Sequence, residues 1–127
     1  LALHFLLQIP HTSHLRFVYY LLHWFQMSDA AKAVMIGDMG ELGDSSAEEH
    51  KKILKLLTDS SIDKIFLVGK EFEKALSKAG DKADARILWF GSSDSLVAYL
   101  TDNQLRGFTI LIKGSHSMRM EKTVQIL

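Results

Sequence analysis

From Lys32 onward, short apolar runs alternate with segments of helical period, and a glycine or serine stands at nearly every junction. This pattern predicts four strand-then-helix units. AVMIG (33–37) reads as the first strand, followed by a helix over 46–58 whose buried stripe is Ile53, Leu54 and Leu57. Ser45, with Glu48 three residues on, makes a capping box for it. KIFLV (64–68) is the second strand, and its helix over 71–79 places Phe72, Ala75, Leu76 and Ala79 on one face, with Glu71 and Glu73 at its start and Gly80 as its stop. RILWF (86–90) is the third strand, and GSSDS then supplies a turn and serine caps for a helix to about residue 102. FTILI (108–112) is the fourth, before a last helix from near Ser117 toward Leu127 that turns Met120, Val124 and Leu127 inward.

Strands so continuously apolar need cover on both faces, which implies a mostly parallel sheet in a three-layer, Rossmann-like α/β sandwich. Ligands of such sheets meet the loops at the carboxyl ends of the strands. Four loops qualify: GDMGELGDSS (37–46), Gly69 with Lys70, Gly91 with Ser92 and Ser93, and Lys113 to His116. A chain of 127 residues suits one domain, placed at 29–127.

Composition sets residues 1–28 apart. They contain no Asp or Glu and one basic residue, Arg16, yet hold four of the six histidines among bulky apolar side chains. The apolar runs are interrupted by His, Gln, Arg and Pro and fall short of the ~20 residues of a membrane span, and the start lacks the charge and small residues of a signal peptide. His4, His11, His14 and His23 have no carboxylates near them, so no metal site is expected there. The 15 Lys and Arg balance 15 Asp and Glu, which gives no basic excess for nucleic acid or an acidic membrane. Cysteine is absent, which excludes disulfides, thiolate catalysis and cysteine-ligated zinc.

Gly37, Gly40 and Gly43 follow a strand and precede a helix, but their GxxGxxG spacing is not the dinucleotide fingerprint, and no GxxxxGK[ST] occurs. Asp38 and Glu41 suit a base or metal ligands, although carboxylates in glycine turns more often act as caps. His50 shares a helical face with Ile53, Leu54 and Leu57, which fits a hydrogen-bonded, partly buried histidine rather than a catalytic one. Lys113, Gly114, Ser115 and His116 directly follow a buried strand and suit an anion, while Ser115 or Ser117 equally suits a simple helix cap. Met118 and Met120 read as packing residues, with the Arg119 guanidinium turned to water or an anionic ligand.

Taken in order, GDMGELGDSSAEEH, KIFLVG and ILIKGSHSMRMEKTVQIL closely resemble the C-terminal domain of the Mur ligases, in the branch that adds D-Ala-D-Ala, over residues 32–127. The most specific pieces are the GDMGELG loop with the downstream His50 and the strand-KGS-x-x-M-R-M-E end. The resemblance implies a three-domain, cytoplasmic bacterial enzyme of peptidoglycan synthesis. One missing domain binds the UDP-sugar, and a central one carries the P-loop, magnesium ligands and a carbamylated lysine. ATP and Mg2+ serve the whole enzyme, and this chain alone holds neither. The terminal carboxylate of UDP-N-acetylmuramoyl-tripeptide is phosphorylated, and the amine of D-Ala-D-Ala attacks the acyl phosphate, with domain closure positioning the groups and excluding water. The resemblance assigns no catalytic residue here. It makes Lys113, Gly114, Ser115 and His116 the contact region for the dipeptide, and turns Asp38, Glu41 and Arg119 toward the interdomain cleft.

Many relatives have arginine where His116 stands. Two departures qualify the resemblance: without the central domain the chain has no P-loop and is not expected to turn over ATP, and the N-x-N-P segment that helps hold nucleotide has no counterpart in residues 1–26. A frame error or truncation is the expectation for that segment. The competing readings are a stand-alone α/β binding module with its own ligand site, or a structural domain whose loops are only turns.

Overall fold

The structure, a computed structural model, describes residues 3–7, 31–40, 42–79 and 84–127. Five parallel strands form one sheet: β1 (Leu3–Leu7), β2 (Ala31–Gly37), β3 (Lys64–Val68), β4 (Ile87–Phe90) and β5 (Phe108–Lys113), in the order β1-β5-β2-β3-β4. Among the described residues, three α-helices follow β2, β3 and β4 in turn: α1 (Ser46–Thr58), α2 (Lys70–Ala79) and α3 (Ser93–Asp102). Shorter 3₁₀ segments occupy Gly43–Ser45, His116–Met118 and Met120–Ile126.

The period-two geometry of the strands sorts the core into two layers. Val34, Ile36, Ile65, Leu67 and Leu111 pack against Ile53, Leu54 and Leu57 of α1 and Phe72 and Ala75 of α2. Ala33, Met35, Phe66, Val68, Ile110 and Ile112 point the other way, onto Leu96 and Leu100 of α3 and Met120. The three-layer α/β sandwich expected from the apolar strands is therefore the fold.

Four details differ from the sequence pattern. The sheet has a fifth strand, β1, in register with β5 from Leu3 against Thr109 to Leu7 against Lys113. A short apolar run such as LHFLL fits helix or strand equally, and pairing decides. Ser45 makes no capping bond; the 3₁₀ turn runs straight into α1, and the Ser45 hydroxyl instead donates to the Leu42 carbonyl at 2.7 Å. Ala79 is exposed, so the buried side of α2 is Phe72 and Ala75, with Leu76 half-buried.

The last segment is 3₁₀ rather than α-helical and is broken at Arg119, whose φ of 50° is left-handed. Met120 and Thr123 are its buried residues, with the Thr123 hydroxyl donating to the Met120 carbonyl at 2.7 Å; Val124 and Leu127 are half-buried against the α3 layer. The edge strand β4 leaves Leu88 and Trp89 exposed, because it lacks the cover of the central ones.

Candidate functional site

β2 lies between β3 and β5, and the chain leaves β2 toward the α1 face but leaves β5 toward the α3 face. The order of strands therefore reverses between β2 and β5, and a crevice opens beyond their carboxyl ends, where open α/β sheets bind ligands. The two loops there are those that carry the sequence signals, residues 37–43 and 113–119.

The loops touch. The Ser115 amide donates to the Asp38 carbonyl at 3.2 Å. Gly37 and Gly114 lie so close that a Cβ on Gly114 would sit 3.4 Å from the Gly37 backbone and 2.7 Å from Cγ of Met120. A Cβ on Gly37 would stand 3.0 Å from the same methionine. Met120 thus packs against both glycines, and only residues without side chains permit that approach. Met118 is half-buried beside it, and Arg119 between them is exposed.

Asp38 starts the first loop. Its amide donates to the Val68 carbonyl at 2.9 Å, and its carboxylate accepts from the amides of Glu71 at 3.0 Å and Phe72 at 3.1 Å. It caps α2 from another element, because the residue before that helix is Gly69, which has no side chain to offer. Gly69 has φ 117°, and a Cβ there would fall onto the Asp38 carboxylate, so glycine is required twice over. The positive end of the α2 dipole also favours the carboxylate at this place.

His50 is fully buried and holds the same loop from α1. Its Nδ1 donates to the Ser46 carbonyl at 2.7 Å, which leaves Nε2 to accept from the Met39 amide at 3.1 Å. The Phe72 ring stands edge-on to the imidazole, centroids 4.8 Å apart.

Lys113 ends β5 in register with Ile36 and is buried; desolvation pushes its pKa below the ordinary lysine value. Gly114 and Ser115 are half-buried, and the hydroxyls of Ser115 and Ser117 lie 3.0 Å apart. The backbone of His116 belongs to the 3₁₀ turn; its side chain is outside the described set, as is the whole of Glu41. His11, His14 and His23 also lie outside the described residues. Among the described residues no three His, Asp or Glu side chains gather as a metal would require. A groove of about 1010 Å³ runs elsewhere, between α1 and α2, bordered by Lys51, Leu76 and Trp89, and neither glycine loop lines it.

The structure thus brings Asp38, Gly114 and Ser115 together through the backbone. It also shows His50 tied to the Met39 amide, a contact that spacing could place on the right helix face but could not assign to a partner.

The family model for "Mur ligase, glutamate ligase domain" matches residues 18–116. The chain belongs to the Mur ligase family. Similar to this Mur ligase domain are the UDP-N-acetylmuramoyl-tripeptide--D-alanyl-D-alanine ligases of Treponema pallidum, 34% identical over 80% of this chain, and of Buchnera aphidicola, 35% identical over 76%. The chain spans about a fifth of the length of these relatives, 22% and 20% respectively. Among solved structures, MurF from Acinetobacter baumannii aligns over 96% of the Mur ligase chain and 27% of its own, at 27% identity and a TM-score of 0.72.

Proposed function

We propose that this chain serves as the C-terminal, lid-like domain of an ATP-dependent amide ligase that adds D-Ala-D-Ala to UDP-N-acetylmuramoyl-tripeptide, in the cytoplasm, during peptidoglycan synthesis. The single observation that carries the reading is the contact between the 37–43 and 113–119 loops at the switch point, within a chain of this family. Lys113, Gly114, Ser115 and His116 form the surface for the dipeptide. Asp38, Glu41 and Arg119 face the cleft toward the domains that complete the enzyme, and Asp38 acts there by holding α2 and its own loop in place. No residue of this chain is assigned a chemical step.

The P-loop and the Mg2+ ligands of such a ligase belong to those other domains. This chain carries no P-loop sequence with which to hold a triphosphate of its own. What this chain contributes is position and exclusion of water around an acyl phosphate and its incoming amine.

The test is an amide NMR titration of the chain with D-Ala-D-Ala. Shifts concentrated at Met39, Gly40, Gly114 and Ser115, with an affinity no tighter than about millimolar for a site lacking its other walls, are expected. Shifts scattered away from both loops, or none at saturating dipeptide, refute the assignment.

A further inference from the structure

We infer that His50 is a positioning residue for the switch-point site, setting the Met39 backbone so that the Asp38 carbonyl meets the Ser115 amide. The inference rests on the reading of these loops as the dipeptide-facing site, and it reaches a residue that makes no contact with Ser115. The connection is a chain of single hydrogen bonds. Nδ1 of His50 is committed to the Ser46 carbonyl of its own helix, so the ring is clamped to α1 and its tautomer is fixed. That leaves the Nε2 lone pair facing the loop, where it takes the buried Met39 amide.

Met39 is the residue between the two points at which the loop is read. On one side Asp38 gives its carbonyl to Ser115 and its carboxylate to the start of α2; on the other Gly40 lies against Ser115, where a Cβ would be 3.4 Å from the Ser115 Cβ. The peptide plane that carries the Met39 N–H also carries the Asp38 carbonyl, because both belong to one planar unit. Holding the N–H therefore orients the C=O, and the Ser115 amide follows the carbonyl.

The Asp38 carboxylate does not replace this contact. Its Oδ1 stands 4.0 Å from Nε2, beyond hydrogen-bond range, and both of its oxygens are taken by α2 amides. Phe72 stands edge-on against the imidazole, ring centroids 4.8 Å apart.

Two substitutions separate the two ring nitrogens. In His50→Gln the amide oxygen reaches the place of Nε2 and can still accept from Met39. In His50→Asn the shorter side chain reaches only the place of Nδ1, keeping Ser46 and releasing Met39. The readouts are hydrogen exchange at the Ser115 amide and D-Ala-D-Ala affinity in the same NMR titration, in variants shown folded by their spectra. His50→Asn should raise Ser115 exchange by about tenfold, the scale of one buried hydrogen bond, and weaken the dipeptide by a similar factor, while His50→Gln stays within about twofold of wild type on both. Equal behaviour of the two variants, or unchanged Ser115 exchange in His50→Asn, overturns the inference. A wild-type chain that fails to bind the dipeptide refutes the proposed function instead, and leaves Ser115 exchange to judge His50.

Discussion

At Lys113, the last residue of β5, burial withholds water from an ammonium and pushes its pKa below the ordinary value of 10.5. The folded protein then binds fewer protons than the unfolded chain between the lowered pKa and 10.5, so stability rises with pH across that interval. Lys113→Met removes the titration. The gap in unfolding free energy between this variant and wild type, measured by denaturant at neutral pH and again near the ordinary lysine pKa, should move in favour of wild type as pH rises. A gap that stays constant refutes the burial cost. The sequence placed Lys113 at the end of a strand, but not its burial, since that depends on what the sheet brings against it. Asp38 is similar: its position in a glycine loop was legible, whereas the two amides it caps lie 33 and 34 residues away.

Elements here are joined by polar side chains reaching between their ends. Arg86, just before β4, donates to the Ser60, Ile62 and Thr58 carbonyls at 2.7, 2.8 and 2.9 Å, closing the C-terminus of α1. Asp84 grips the same guanidinium at 2.6 Å, and that hydrogen bond holds the Asp84 carboxyl below its ordinary pKa and the arginine above its own. The planar fork serves several carbonyls at once, which an ammonium cannot. Arg86→Ala should therefore cost about 2–3 kcal/mol in urea unfolding, with Arg86→Lys recovering only part of it; full recovery by lysine would mean that charge alone matters. By contrast the Ser92 cap of α3, whose hydroxyl accepts from the Ser95 amide at 3.2 Å, was readable from GSSDS because both partners sit within four residues. The capping box at Ser45 had equally good spacing and failed, because the preceding 3₁₀ turn already commits the serine backbone to a helical conformation.

For the whole molecule, the sheet presents two loops to one crevice, with Met120 packed beneath their glycines. In the proposed function such a domain contributes a wall to a site completed by other domains. The purified chain should accordingly show no ATP hydrolysis above background, with or without D-Ala-D-Ala and Mg2+; sustained turnover that co-purifies with the folded chain would refute its role as a lid. The parallel sheet also explains why the position of these two loops is legible in the sequence. Alternating strands and helices fixed the class of fold, and that class fixes which ends of the strands face a ligand.

Period and local chemistry, carried by neighbours a few residues apart, were enough to place the strand segments β2 to β5, the bounds of α1 and α3, and the two glycine loops. Tertiary structure alone decided that LHFLL pairs with β5, that the last segment winds as 3₁₀ around Met120, that Asp38 caps α2 and that His50 holds Met39. Each of those outcomes depends on a partner that only the folded sheet brings within hydrogen-bond or van der Waals distance. A linear pattern records which face a residue prefers, and the closed packing of the sandwich selects the atom it meets there.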